Sequence, residues 1–363
     1  MELTVLQSQG EVPRPAAVAE YRGATTASSY SGRDAEFAAL RSGCGVYDLG
    51  YRAKLSLTGG DRVRWLNGMV TNNVRDLQPG HGVYAFLLNP QGHILGDLYA
   101  YHRGESIVVD TDRSQLETIL ATFDHYIIMD DVEVKNLSDE MTALGIAGPK
   151  ARSVLAAAGI QISEMESLEV ADAKCTCDCE CVSCPVVRGD NPAIESYELW
   201  LAPADLKKTW NALLQHGGTP VGSEALELWR ISSGIPLFGM DIRGRELPQE
   251  TEQTRALNFN KGCYVGQEIV ERIRSRGAVH RKFSGFLVDG SQPEAGTKIL
   301  SAEKEVGEVT SVSSIGSARA VALGYIRREV STPGREVTVG GAKASVVPLP
   351  LSGEILGKLD SQG

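Results

Sequence analysis

The chain has no run of apolar residues that reaches the roughly 18 needed to span a bilayer. Its opening segment, MELTVLQSQGEVPRP, lacks the basic flank and apolar core of a secretory leader. These two absences predict a protein that stays in the cytoplasm. Positive charge is short as well: 36 Lys and Arg stand against 46 Asp and Glu, a formal net charge of -10. Phosphate backbones are gripped through cationic surfaces, so the overall field argues against stable nucleic-acid binding and leaves room only for a local basic groove. No fixed-period repeat, glycine-rich phosphate loop or Ser/His/Asp hydrolase pattern is present. Nor do the cysteines form a spread disulfide framework. Their number, seven, is odd, and five crowd into residues 175–184, which fits reduced thiols in a reducing compartment.

What is present is an ordinary globular composition over 363 residues, 42% hydrophobic and 23% charged, enough for two or three compact units. Residues 1–30 are rich in Ala, Ser, Thr, Pro and Gly without a period, and read as a loosely held arm. The segment RDAEFAALRSG predicts a short helix stopped at Gly43, and VYDLGYRAKLSLTG a pair of strands. Asp61 is placed to cap a helix carrying Val63, Leu66 and Met69. The run VYAFLLNPQGHILGDLYAYH predicts a hairpin turning at Pro90 to Gly92. Leu206, Trp210, Leu213 and Leu214 share a helical face after the strand YELWLAP. Helices mixed with hairpins indicate an α+β protein. Beyond about residue 282 the helical period vanishes and six short strands separated by turn residues predict a small antiparallel barrel or sandwich.

Three segments could carry chemistry. In NFNKGCYVGQE, glycines bracket Cys263, allowing tight turns and close approach of a partner, and Lys261 would favour the thiolate. The plain alternative is a small buried hydrophobe, the usual fate of a free cysteine. In KCTCDCECVSC, Cys175, Cys177, Cys179, Cys181 and Cys184 are soft ligands suited to Zn, Cu(I) or an iron-sulfur cluster. Alternate residues of a straight strand stand about 6.6 to 6.8 Å apart, too far for sulfurs sharing one ion, so this loop would have to curl to bind, and an inert insertion is the alternative. The basic stretch Arg272, Arg274, Arg276, His280, Arg281 and Lys282 could hold an acidic partner such as a polyglutamate tail or RNA, or form a solvated face.

The octapeptide KGCYVGQE resembles the signature of YgfZ-type proteins, a branch of the glycine-cleavage T-protein superfamily of folate-binding aminomethyltransferases. LWRISSGIPLFGMDIRGRELPQET and YAFLLNPQGHILGDL are similar to superfamily segments, and VGEVTSV and AVALGYI to its C-terminal barrel strands. The resemblance implies an α+β T-protein-like fold: two mixed α/β subdomains over residues 31–280, including the Cys-rich loop 175–184, and a C-terminal antiparallel β-barrel over 281–363, around a central folate cavity. It implies tetrahydrofolate as cofactor, with Tyr84 lining the pterin pocket, Asp97 bonding the pterin and Arg230 pairing with the folate. Glu195 and Glu198 stand near the superfamily's acidic pair, although Ile194 occupies one acidic position. The hairpin's paired aspartates are reduced to Gly96 and Asp97, which weakens proton transfer more than binding. Read without the resemblance, Arg230, Tyr84 and Asp97 are a surface helix cation, a strand aromatic and an exposed turn residue. The expectation is therefore a monomeric, folate-binding accessory factor for iron-sulfur enzymes, acting on iron-sulfur proteins or their assembly factors and through them on tRNA thiolation, with Cys263 as its functional thiol and no membrane partner. A folate-dependent aminomethyltransferase and a non-catalytic folate sensor or scaffold are the alternatives.

Overall fold

A computed structural model describes residues 2–10, 13–175, 184–277, 279–290, 292–316, 318–353 and 356. The chain divides into two compact units, one of Met1–Leu87 with Asp97–Leu226, the other of Leu88–Gly96 with Glu227–Gly363.

The first unit is built on two large sheets. A seven-stranded sheet runs in the order Ile160–Gln161, Val170–Cys175, Cys184–Arg188, Ser196–Leu201, Thr142–Ala147, Gly45–Asp48, Thr219–Val221. Its last pair is parallel. Helix Pro203–Gln215 lies against it, with proline in the first turn, where a missing N–H costs no helical hydrogen bond. Leu206, Trp210 and Leu213 on its inner face are fully buried. Each such side chain contributes about 1.5–3 kcal/mol of transfer free energy. Leu214, expected on the same face, is only half-buried at its margin.

A five-stranded sheet follows the order Gly82–Leu88, Ile94–His102, Ile107–Asp112, Arg52–Thr58, Glu133–Asn136. The expected hairpin is present, with Asn89 and Gly92 closing its turn and Gly92 in the left-handed region at φ +77°. One sequence expectation changes here. Strands Gly45–Asp48 and Arg52–Thr58 do not pair with each other: the first joins Thr142–Ala147 and the second Ile107–Asp112. At Gly50, between them, an added Cβ would lie 2.7 Å from the Thr4 Cβ, so the chain turns a corner too tight for a side chain.

Residues expected to form a loose arm carry a helical turn, Val5–Ser8, and a hairpin, Ala17–Tyr21 with Ala24–Ser29. Composition misses this because the segment is held by polar partners as well as by apolar burial. Thr4 and Thr26 donate to the buried Asp48 carboxylate, and Ser29 donates to the buried Glu36. Glu36 also accepts the backbone N–H groups of Tyr30, Ser31, Gly32 and Gly222. The Asp61 side chain likewise differs from expectation: it precedes helix Arg62–Met69 but makes no cap, accepting instead from the Asp131 N–H.

In the second unit six strands close into a barrel in the order Arg281–Asp289, Arg319–Arg327, Lys304–Ile315, Lys298–Ser301, Glu336–Val339, Ala342–Val347. The predicted barrel is thus observed, filled by Phe286, Val288, Ile299, Val309, Ala322 and Ile326. Arg281 is bidentate to Glu250 at 2.9 Å, tying the segment before the barrel to its first strand. Among the described residues no helix is long and apolar enough to cross a membrane.

Candidate functional site

The hairpin and its neighbouring strands assemble a polar cluster in the first unit. Period-two alternation sends Asp97 to one face of strand Ile94–His102 and leaves buried leucine and alanine on the other. Tyr84, across the hairpin, donates its hydroxyl to Asp97 Oδ2 at 2.6 Å. Gln115 closes a two-point contact: its Nε2 donates to Asp97 Oδ1 at 2.7 Å and its Oε1 accepts the Asp97 N–H at 2.8 Å. Asp97 makes no ion pair among the described residues. Burial, reinforced by the Asp112 charge, raises its carboxyl above the usual range despite the Tyr84 and Gln115 hydrogen bonds.

Next to it lies a ladder of charges that sequence reasoning missed. Arg52 and Lys54 occupy one face of their strand, and the antiparallel register sets Arg52 opposite Asp112 and Lys54 opposite Asp110. Arg52 reaches Asp110 at 3.1 Å and Asp112 at 2.5 Å. Lys54, 1% exposed, brings its Nζ to 3.0 Å from Asp110 Oδ1 and 4.0 Å from Glu198 Oε2. Among the described residues the Lys54 ammonium nevertheless makes no well-angled hydrogen bond, and Asp110 Oδ2 has no hydrogen-bond partner. The signal was legible in principle, since like charges two residues apart inside an apolar strand mark one polar face. The pairing of the two strands was not.

Aromatic rings line the same cluster. Tyr84 and Tyr99 rings are 4.9 Å apart, Tyr101 meets Trp200 edge-on at 5.3 Å, and Lys54 Nζ stands 5.5 Å above Trp200. Glu198 accepts from the Trp200 indole at 3.3 Å. Burial, then the Asp110 charge, raises its carboxyl above the usual range, opposed by Lys54 and Arg52. Glu195, expected beside Glu198, has other neighbours: it accepts from the Tyr197 hydroxyl and lies 4.0 Å from Arg188.

The remaining sequence candidates belong to the second unit or to the Cys-rich segment. Cys263 is exposed, on the loop before helix Gln267–Arg276. It is not the buried hydrophobe of the plain alternative. Lys261 holds its ammonium 5.0 Å over the Tyr264 ring. Gly266 takes φ +82°, and a Cβ there would come within 2.6 Å of the Asn89 carbonyl oxygen, so the motif's second glycine packs against the hairpin turn.

Arg230 is turned into the protein. Instead of offering a fork to a ligand carboxylate, it is 4% exposed and uses every N–H internally. Its Nη1 donates to Asp241 Oδ2 and the Ile235 carbonyl, both at 2.7 Å. Its Nη2 donates to Ser311 and Glu227 at 2.8 Å, and its Nε to Glu227. In the basic stretch, Arg281 and Lys282 are likewise engaged, by Glu250 and Glu252. Of the five clustered cysteines, Cys177, Cys179 and Cys181 lie outside the described residues, as does the side chain of Cys175. Cys184 is buried in strand Cys184–Arg188, and burial pushes its thiol up to about 12. Among the described residues no group of three or more His, Cys, Asp or Glu is placed to hold a metal ion.

Comparison with known proteins identifies the family and the fold. Residues 10–261 match the GCVT N-terminal domain, and residues 281–352 the glycine cleavage T-protein C-terminal barrel domain. The chain is 28% identical over 328 residues to an aminomethyltransferase of Rubrobacter xylanophilus, covering 88% of this chain and 86% of that one. It is 24% identical over 339 residues to an aminomethyltransferase of Desulforamulus reducens, covering 89% and 90%. The crystal structure of glycine cleavage system aminomethyltransferase T from Bartonella henselae superposes with a TM-score of 0.83 at 22% identity, over 96% of this chain and 97% of that one, which establishes the shared fold. Given matches to both of its domains over most of the length, the chain belongs to the GCVT family, the glycine cleavage T-protein family with its C-terminal barrel.

Proposed function

We propose that this chain binds a reduced folate at the Asp97 cluster and acts, in the manner of YgfZ-type proteins, as an accessory factor for iron-sulfur enzymes and, through them, for tRNA modification. The observation that carries the folate reading is the Asp97 carboxylate, hydrogen-bonded by Tyr84 and Gln115 yet free of any ion pair among the described residues. Such a group is an acceptor for the adjacent N–H and amino donors of a pterin edge. Glu198 adds a second acceptor, and the partly exposed Tyr99 ring, packed against the buried Tyr84 ring, supplies surface for a flat heterocycle. These residues fit tetrahydrofolate, whose bound form supplies a one-carbon carrier. Arg230, with every donor engaged, does not fit the expected role of holding its carboxylate tail.

The accessory role, rather than aminomethyl transfer, rests on KGCYVGQE, with Cys263 exposed, and on the reduction of the paired hairpin aspartates to Asp97. The named activity of the relatives supports the other reading, in which Asp97 serves as the sole proton acceptor of a transferase. Anaerobic thermal unfolding with tetrahydrofolate tests the site. At a free concentration about one hundred times Kd the ligand stabilises the native state by about 2.7 kcal/mol, and Asp97→Ala removes the shift. No shift at saturating ligand would take folate out of the account. Cys263→Ala is expected to keep the shift but fail to restore iron-sulfur enzyme activity in a deletion strain. Restoration by both Cys263→Ala and Cys263→Ser would leave the thiol without a role and favour a folate sensor or a transferase.

A further inference from the structure

The folate reading accounts for Asp97 and Glu198 but leaves unexplained why the fold buries a lysine behind them. Lys54 is 1% exposed, and among the described residues its Nζ forms no well-angled hydrogen bond, although an ammonium in that position has three protons to donate. A buried, incompletely bonded ammonium is costly unless nearby carboxylates repay it. Those present are Asp110 at 3.0 Å and Glu198 at 4.0 Å, and the Trp200 ring below offers a further attraction. Asp110 is also held by Arg52 at 3.1 Å, whereas the ion-pair partner of Glu198 among the described residues is Lys54.

We propose that Lys54 is a positioning residue: from beneath the cluster its ammonium keeps Glu198 a charged hydrogen-bond acceptor, available to a ligand's N–H donors. Resting on the folate reading, this assigns the site a pH dependence as well as a shape. The groups facing Glu198 are Arg52 and Lys54 from one strand, Asp110 from the next, Tyr101 from the hairpin, and Tyr47 and Tyr51 on either side of the Gly50 corner. Lys54, then Arg52 and the Trp200 indole hydrogen bond, favour the charged form. Asp110 opposes it, and burial opposes it most.

Removing the ammonium therefore makes Glu198 take up its proton at higher pH. With Lys54→Met, tetrahydrofolate affinity at high pH stays within about threefold of wild type, while the pH below which binding is lost moves upward, giving about a tenfold deficit inside that window. Lys54→Arg keeps the wild-type profile. The ligand-free protein provides a separate readout: carboxyl-carbon NMR of labelled glutamate, assigned with Glu198→Gln, should show Glu198 titrating at higher pH in Lys54→Met. A folded Lys54→Met protein with an unchanged Glu198 midpoint, or with binding weakened equally at every pH, overturns the proposal. Should Lys54→Met not fold, Glu198→Gln decides: loss of the wild-type pH midpoint in binding supports the proposal, and its retention overturns it. If the wild-type protein takes up no tetrahydrofolate, the folate reading fails, while the NMR titration still tests Lys54.

Discussion

At the scale of single residues, Asp97 joins function to stability. Burial and the neighbouring Asp112 raise its carboxyl, so the folded protein holds this proton over a range in which the unfolded chain has already released it. Native stability therefore falls as pH rises from the ordinary aspartate value of about 4 through the raised folded value, and the full cost is carried above it. Asp97→Asn keeps the shape: Gln115 donates to the amide oxygen, and the Tyr84 hydroxyl turns to accept from the amide nitrogen. The variant should gain on the order of 1 kcal/mol at neutral pH, about 2–4 °C in Tm, and lose the advantage in acid. Thermal unfolding across pH checks this, and a variant less stable than wild type at neutral pH would reverse the sign. The same substitution should abolish folate binding, as expected where a site trades stability for function. Tyr84 and Asp97 could be nominated from the hairpin sequence and its resemblance. The partners of Gln115, Arg52 and Lys54 could not, because they come from segments that are far apart in the chain and meet only in the fold.

At the scale of elements, the two glycines around Cys263 part company. Gly266 stands in the left-handed region with the Asn89 carbonyl and Gly92 against it, whereas a Cβ on Gly262 would meet nothing within 4 Å. Gly266→Ala is expected to cost about 1–3 kcal/mol through backbone strain and collision with the hairpin turn, and Gly262→Ala to stay within about 0.5 kcal/mol. Urea unfolding of the two variants separates them, and equal costs would refute the packing role. The motif thus contains one glycine that the fold requires and one that leaves Cys263 on open surface. Element identity was largely legible: the hairpin, helix Pro203–Gln215 and the six barrel strands follow from period and punctuation. Partnership was less so. Gly45–Asp48 and Arg52–Thr58 looked like neighbours, yet Gly50 turns the chain between two sheets. The N-terminal hairpin escaped notice because its Thr and Ser side chains owe their order to Asp48 and Glu36 as much as to apolar burial.

At the scale of the whole molecule, Arg230 ties together parts of the second unit that are distant in sequence. Within the second unit its guanidinium links helix Ser223–Ser233 to Asp241 and to Ser311 of the barrel. Asp241 in turn accepts from Thr310 and Ser311. Arg230→Ala strands the buried Asp241 charge, and breaking such a pair costs about 3–5 kcal/mol. Calorimetry should therefore find a large loss of Tm in the absence of any ligand. A variant of unchanged stability that fails only to bind folate would restore the ligand role.

The sequence by itself determined the α+β class, the six-stranded barrel, the hairpin bearing Tyr84 and Asp97, and the family, because periodicity, turn residues and short motifs are local properties of the chain. Only the tertiary structure decided that Asp97 stands without an ion pair among the described residues while Lys54 and Arg52 serve Asp110, Asp112 and Glu198. It also decided that Arg230 is spent internally and that Cys263 faces open surface. Each of these depends on which strands pair and what they bury, and electrostatic interactions fall off over distances that only the folded chain sets.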